Sequence, residues 1–226
     1  MSVVVLHTTE SDPGSAEAVA RYLVRMGYES HEVFDPSNGD LIQLLPPSQP
    51  GKSLVNLPGG VETNNRGGVY QIEIVGRAVD VPGYDDAWYE RLRVRLLVVC
   101  GFTGTPFVFP LPFQPYPQSY GNNLVRLNFE DWLTVEGCVG HQHVPENDHG
   151  DPGALDIERL KEHDMTLDDL VVALGPNARR TGNLIEIQLR DGNWYPWGDV
   201  IRYTHQEAQD DSGAGPLTIN LSGTAT

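Results

Sequence analysis

VVVLHTTESDPGSAEAVARYLVRM (Val3–Met26) is the stretch that decides the fold class. Its first four residues form an uninterrupted apolar run, which is typical of a β-strand buried on both faces. The run ends at His7, and a polar loop separates it from a helical pattern that runs from about Ser15 to Met26, with Gly27 at the C′ position. Strand, loop and helix in this order predict an α/β fold with His7 at a strand end, where functional side chains are common. The residues that share the apolar face of the helix are Val19, Leu23 and Met26.

The rest of the first 162 residues continues the alternation of strands and helices. Asn38-Gly39 is a hairpin signal between two apolar segments. In the segment YQIEIV, Ile72 and Ile74 share one face and Glu73 points to the other. We therefore expect a central mixed β-sheet flanked by helices. The other predicted elements are hairpin strands at His31–Asp35 and Leu41–Leu45, a strand at Tyr70–Val75, a helix from Asp85 to Val98, a short helix capped by Asn128, and a last strand at Cys138–His141.

The sequence divides into three parts. Residues 1–162 form the predicted α/β domain, residues 163–206 a small C-terminal unit, and residues 207–226 a polar tail. The C-terminal unit reads as a helix from Thr166 to Gly175 followed by a hairpin of Leu184–Leu189 and Asn193–Trp197. Because about forty residues rarely support their own core, we favour packing of its aromatic side chains on the main domain over stacking on sugar rings. These aromatic residues are Trp194, Tyr195, Trp197 and Tyr203.

Composition excludes several partners. The 226 residues carry a net charge of −16, which argues against nucleic acid or an anionic membrane as the main partner. Two cysteines are too few for a disulfide framework. The apolar run Val3–Leu6 is too short for a signal peptide or a membrane span, so we expect a protein made in the cytoplasm and not inserted into a membrane.

A second segment, GHQHVPENDHGDPG (Gly140–Gly153), holds three of the seven histidines. His141 and His143 lie two residues apart, which on an extended segment would point both to the same face. Asp151 follows ten residues after His141. Zinc binds imidazole nitrogen and carboxylate oxygen, and a catalytic zinc site takes three protein ligands and leaves one position open. The alternative is a polar loop whose histidines are solvated.

Two segments together resemble a known family. VVLHTTES (Val4–Ser11) and GHQHVPENDHGDPGALD (Gly140–Asp156) look like the type-2 N-acetylmuramoyl-L-alanine amidases, which include many phage endolysins and the peptidoglycan recognition proteins. NRGGVYQIEIVG (Asn65–Gly76) is similar to a strand of the same family. The resemblance covers roughly residues 1–162 and implies the fold of these zinc amidases.

The resemblance also implies roles for individual residues. Zn²⁺ would be held by His7, His141 and Asp151, and Glu73 would act as general base. His149 stands where the family often has a lysine that stabilises the oxyanion. Since charge repulsion by zinc opposes protonation, we expect His149 to work as a neutral donor.

Two histidines remain open at this level. His143 competes with His141 as a ligand, although the Gly-His order and the spacing to Asp151 favour His141. His143 would then support the ligands or contact substrate. Ser30-His31 stands where many family members carry a Tyr-His pair, so the tyrosine hydroxyl is absent here. His31 is either structural or lines the site.

The expected function is hydrolysis of the amide between N-acetylmuramic acid and L-alanine in peptidoglycan. The expected setting is a bacteriophage endolysin that reaches the cell wall after release and lyses the host. The alternatives are a recognition module that binds peptidoglycan without cutting it, and a wall-degrading component of the virion. Three candidate ligands together with Glu73 favour the enzyme. Host, peptide-stem specificity, pH optimum and oligomeric state stay open.

Overall fold

The computed structural model describes residues 3–56, 64–161, 178–181, 184–188, 194–196 and 218–220. Its main sheet contains the strands β1 (Val3–Thr8), β2 (Glu32–Asp35), β3 (Asp40–Gln43), β4 (Val69–Ile74), β5 (Gly137–Gly140) and β9 (Thr218–Asn220). The sheet is mixed, and its strand order is β5-β1-β4-β2-β3-β9. The strand β1 is parallel to both of its neighbours, β4 is parallel to β2, and β3 is antiparallel to β2 and to β9.

Four helices belong to this part of the chain: α1 (Ala16–Met26), α2 (Asp86–Thr103), α3 (Phe129–Thr134) and α4 (Ile157–Lys161). The strands and helices together make a general α/β fold, as the sequence predicts. Local signals define several ends. Gly27 ends α1 in the left-handed conformation, and the side chains of Asp85 and Asn128 accept hydrogen bonds at the starts of α2 and α3.

The two faces of the sheet are covered differently. On one face, Leu6 and Ile72 pack with residues of α2 and α4 in a single apolar cluster. On the opposite face there are two separate clusters. One contains Val5 and Trp132 of α3, and the other contains Val75 and the buried side of α1.

A polar band lies between these two clusters. It consists of His7 on β1 and of Gln71 and Glu73 on β4, all three buried. Along β4 and the residue that follows it, the band is flanked by Val69 of one cluster and Val75 of the other. Since burying polar groups is costly unless they have partners, this interruption of the core is a candidate functional position in the fold.

Some details differ from the sequence predictions. Met26 is 44% exposed rather than part of the apolar face of α1, which buries Ala16, Ala20 and Leu23 instead. The helix α2 is longer than predicted and continues to Thr103, because the sequence GFT after Cys100 extends the helix up to Gly104, where the chain turns left-handed. The strand β5 ends at Gly140, and His141 begins a 3-10 turn.

The C-terminal region is described only in its strands. The strands β6 (Ala178–Thr181), β7 (Leu184–Gln188) and β8 (Trp194–Pro196) form an antiparallel sheet, which includes the predicted hairpin and adds β6. The predicted helix at Thr166–Gly175, Trp197 and Tyr203 lie outside the described residues. The strand β9 falls within the predicted polar tail and extends the main sheet beside β3. Among the described helices, none has the length and apolar character needed to cross a membrane.

Candidate metal centre

Three of the candidate side chains lie at the carboxyl ends of neighbouring parallel strands. His7 lies near the end of β1, Glu73 is its direct neighbour on β4, and His141 follows the last residue of β5 on the other side. The chain places β4 on one side of β1 and β5 on the other, so the strand order reverses at β1. In open α/β sheets, ligands bind outside the carboxyl ends of the strands at such a reversal.

The 3-10 turn His141–His143 decides which histidine enters the site. It sends the two rings in different directions, so the expectation that both share a face is wrong. The Nδ1 of His143 accepts a hydrogen bond from the Gly140 N–H at 2.8 Å, and its Nε2 donates to the carbonyl of Pro112 at 3.0 Å. Burial lowers the pKa of His143 to about 4. His143 is thus a neutral ring with both nitrogens bonded to backbone, and His141 is the histidine that faces His7.

Position 140 requires glycine, because there is no room for a side chain beside its α-carbon. A Cβ at this position would lie 2.7 Å from Pro152 Cδ and 2.8 Å from Phe113 Cε1. The glycine before His141 is therefore explained by steric crowding, because the segment around Pro152 packs directly against the end of β5.

Asp151 is brought back to β1 by a second set of contacts. The N–H of Gln142 donates to the Asp151 carbonyl at 3.0 Å, and the Gln142 side chain donates to the Gly153 carbonyl at 2.9 Å. The Asp151 carboxylate then accepts a hydrogen bond from the N–H of Thr8 at 3.2 Å. One loop thereby carries two candidate ligands to the end of β1, although His7 and His141 are 134 residues apart in sequence.

The donor atoms of His7, His141 and Asp151 converge in a buried group that could bind a metal ion. The two Nδ1 atoms are 3.0 Å apart, His141 Nδ1 is 3.3 Å from Asp151 Oδ1, and His7 Nδ1 is 3.6 Å from Asp151 Oδ2. Ligand atoms bound tetrahedrally at zinc distances are about 3.3–3.4 Å from one another. The three separations, two of which involve different oxygens of Asp151, lie close to this value, so the three side chains could hold a metal ion of this size.

The protonation states also suit a cation. Burial and the neighbouring His141 lower the pKa of His7 to about 3, so its ring is neutral at neutral pH. Burial alone would raise the pKa of Asp151, but the imidazoles of His141, His149 and His7 outweigh it and hold the pKa well below the ordinary value. Metal ligands must be deprotonated, and both groups already are.

Glu73 lies beside the donor atoms without belonging to them. Its side chain is 8% exposed, and burial together with the negative charge of Asp151 raises its pKa well above the ordinary value. A hydrogen bond with Ser53 acts in the opposite direction. Glu73 is therefore a more basic carboxylate than a solvent-exposed one, and its location next to the donor atoms suits proton transfer.

His149 lies over the outer side of the site. Its ring stacks on His141 at 4.6 Å, and its Nδ1 is 3.6 Å from Asp151 Oδ1, while 64% of the side chain stays exposed. The sequence predicts a neutral His149 because of repulsion by zinc, and this prediction leaves out the neighbouring Asp151. The interaction with that carboxylate raises the pKa of His149, against the effect of its partial burial.

His31 is buried away from the donor atoms. Its Nδ1 accepts from the Gln71 N–H at 3.0 Å, its Nε2 donates to the Gln49 carbonyl at 2.9 Å, and its ring stacks on Tyr70. With both nitrogens bonded to backbone, His31 ties β2 to β4, which is the structural role of the two that the sequence left open.

Sequence reasoning missed three residues that hold the donor set: Thr8, Gln142 and Asn147. Asn147 is 1% exposed, and its Oδ1 is 2.9 Å from Nε2 of His141. The only sequence signal is that these side chains fall in or next to the two motifs. Their contacts depend on how the loop folds back, which spacing along the chain does not indicate.

Comparison with family models, with curated proteins and with solved structures gives no match to this chain.

Proposed function

We propose that the protein is a zinc-dependent N-acetylmuramoyl-L-alanine amidase, which hydrolyses the amide between the lactyl group of N-acetylmuramic acid and L-alanine. The observation that carries the proposal is the convergence of His7, His141 and Asp151 at one strand end, with Glu73 beside them. The substrate comes from the resemblance of the two motifs to the type-2 amidases. We also propose that the α/β fold is specifically that of these amidases.

His7, His141 and Asp151 would hold the ion through two neutral imidazoles and one carboxylate. Zinc bound there supplies a Lewis acid that polarises the scissile carbonyl and makes a water molecule more acidic. Burial keeps His7 neutral, and the neighbouring imidazoles hold the pKa of Asp151 low, so Asp151 would supply the negative charge of the bound donor set. The 3-10 turn and the contacts of Gln142 keep these side chains in place before substrate arrives.

Glu73 would take a proton from the attacking water and deliver it to the leaving amine. Burial raises its pKa and so increases its basicity, and its strand position fixes it beside His7. His149 would donate a hydrogen bond to the oxyanion from the outer side of the site. It is exposed enough to meet a substrate and is held in place by stacking on His141.

The intact donor set and Glu73 favour an enzyme over a module that only binds peptidoglycan. We extend the proposal to a bacteriophage endolysin acting on the host cell wall, a setting that comes from the resemblance.

The test is product analysis on purified peptidoglycan with zinc-loaded protein. An amidase releases new N-terminal L-alanine and no new reducing sugar ends. Glu73→Gln should reduce the rate at least about a hundredfold, the usual scale for a general base. Glu10→Gln is the matched control, because Glu10 is close enough for its charge to raise the pKa of Glu73 and, among the described residues, accepts hydrogen bonds from the Thr8 hydroxyl and the Ala78 N–H. New reducing ends, cleavage within the peptide, or no cleavage at all would contradict the proposal.

A further inference from the structure

Asn147 lies behind His141 and is completely hydrogen-bonded. Its Nδ2 donates to the carbonyls of Val55 at 3.1 Å and Pro145 at 2.9 Å. Its Oδ1 accepts from the N–H of Val55 at 2.9 Å. A flipped amide would set its NH₂ group against the Val55 N–H and its oxygen against two carbonyls. The orientation of the Asn147 amide is therefore fixed by backbone groups.

This fixed orientation determines the tautomer of His141. The Oδ1 of Asn147 is 2.9 Å from Nε2 of His141, and an amide oxygen can only accept a hydrogen bond. Nε2 must then carry the proton. Because a neutral imidazole has a single N–H, Nδ1 keeps its lone pair, and Nδ1 is the atom that faces His7 and Asp151.

The other candidate histidine ligand has no such restraint. Nε2 of His7 is buried and has no hydrogen-bond partner among the residues that the structure describes. His31 and His143 do have fixed tautomers, but their partners are backbone groups, and neither ring faces the donor set. Between the two imidazoles of the site, only His141 has its Nε2 bonded to a fixed acceptor, while His7 Nδ1 can donate to the lone pair of His141 Nδ1 at 3.0 Å in the metal-free protein.

We propose that Asn147 is a positioning residue of the metal site, which fixes His141 as the Nε2–H tautomer and so presents the Nδ1 lone pair to the cation. This inference rests on the metal site in the proposed function. It adds a residue that acts through His141 rather than on the metal or the substrate. Hydrogen-bond partners of metal-bound histidines raise ligand basicity and hold the ring in orientation, and their loss typically weakens metal binding about ten- to a hundredfold.

The chain offers a matched control for the second role that Asn147 could have, which is to fasten the loop. Asn64 donates to the same two carbonyls, those of Val55 at 2.6 Å and Pro145 at 3.0 Å. It has no contact with His141. Asn64→Ala therefore removes a comparable loop contact and leaves the tautomer restraint in place.

The experiment measures Zn²⁺ affinity by chelator competition at one fixed pH for wild type, Asn147→Ala and Asn64→Ala. In parallel, two-bond ¹H–¹⁵N spectra of the metal-free proteins report the tautomer of His141. We expect affinity to fall about ten- to a hundredfold in Asn147→Ala and to change less than about threefold in Asn64→Ala. We also expect wild-type His141 to be protonated at Nε2, and this restriction to be lost in Asn147→Ala.

Several results would overturn the inference: unchanged affinity in Asn147→Ala, equal losses in both variants, or an Nδ1–H tautomer in the wild type. The last measurement needs no variant, so it decides the matter even if Asn147→Ala does not fold. A wild type that binds no zinc while His141 is still the Nε2–H tautomer would contradict the proposed function and the metal-positioning role together. If the wild type binds zinc and Asn147→Ala binds it with the same affinity, the proposed function stands and this inference alone is removed.

Discussion

At the scale of single residues, the site contains a carboxylate, that of Glu73, that is almost completely buried. Glu73 lies within the polar band, between two apolar clusters on the same face of the sheet. Burial and the charge of Asp151 both favour its protonated form, and only the hydrogen bond with Ser53 is known to oppose them. Its ionised form is therefore a source of instability in the metal-free protein, as is common for groups that serve catalysis.

This instability predicts a pH dependence of folding. Because the pKa of Glu73 is raised in the folded state, its contribution to stability is present below the pKa of the unfolded chain and is lost as pH rises through the folded pKa. Glu73→Gln cannot ionise and should not lose it. In urea unfolding of the metal-free proteins, the variant should gain stability relative to wild type as pH rises from about 4 toward 8. A difference that stays constant with pH would show that Glu73 is not strained by ionisation.

At the scale of elements, the loop from Gly140 to Gly153 depends on glycine at both ends. Gly153 has φ +72°, and a Cβ there would lie 2.3 Å from the carbonyl oxygen of Ala78. This close approach holds the loop against the segment after β4. Since Gly153 also accepts the side-chain hydrogen bond of Gln142, its position is coupled to that of Asp151.

Gly153→Ala should therefore cost more than an ordinary left-handed alanine. Gly27 is the control, because it has the same φ of +72° at the end of α1 and nothing within 4 Å of a new Cβ. Gly27→Ala is expected to cost about 1–2 kcal/mol for the backbone conformation alone. Gly153→Ala should cost about 1–3 kcal/mol more, as for an overpacked site, and should also weaken metal binding. Equal losses of unfolding free energy for the two variants would show that the contact with Ala78 relaxes easily.

Elements with strong local signals could be predicted from the sequence. The hairpin through Asn38-Gly39 and the helix α1, which ends at Gly27, depend on residues close in the chain, and both are present. The 3-10 turn at His141 could not be predicted in this way. It begins where Pro152 and Phe113 pack against Gly140, and these two residues come from the far end of the same loop and from a different loop. The direction of His143 follows from the same turn.

At the scale of the whole molecule, the site exists because β1 pairs with β4 on one side and β5 on the other. Alternation along β1 and β4 indicates which side chains share a face, and it placed Glu73 opposite Ile72 and Ile74 correctly. It does not indicate which strands are neighbours. For His7, His141 and Asp151, the grouping expected at the sequence level came from the resemblance to the amidases. In the structure, the strand order and the returning loop bring the three together.

The central claim is that these three side chains bind one zinc ion, and metal content by mass spectrometry tests it most directly. Wild type, His7→Ala and His143→Gln are purified from the same zinc-supplemented medium and dialysed identically. His143 is the control because it is as buried as His7 and bonds only to backbone. We predict about one zinc per chain in wild type and in His143→Gln and almost none in His7→Ala, because two ligands rarely retain a site built for three. A wild type without zinc, or a His7→Ala protein that keeps its zinc while His143→Gln loses it, would contradict the account.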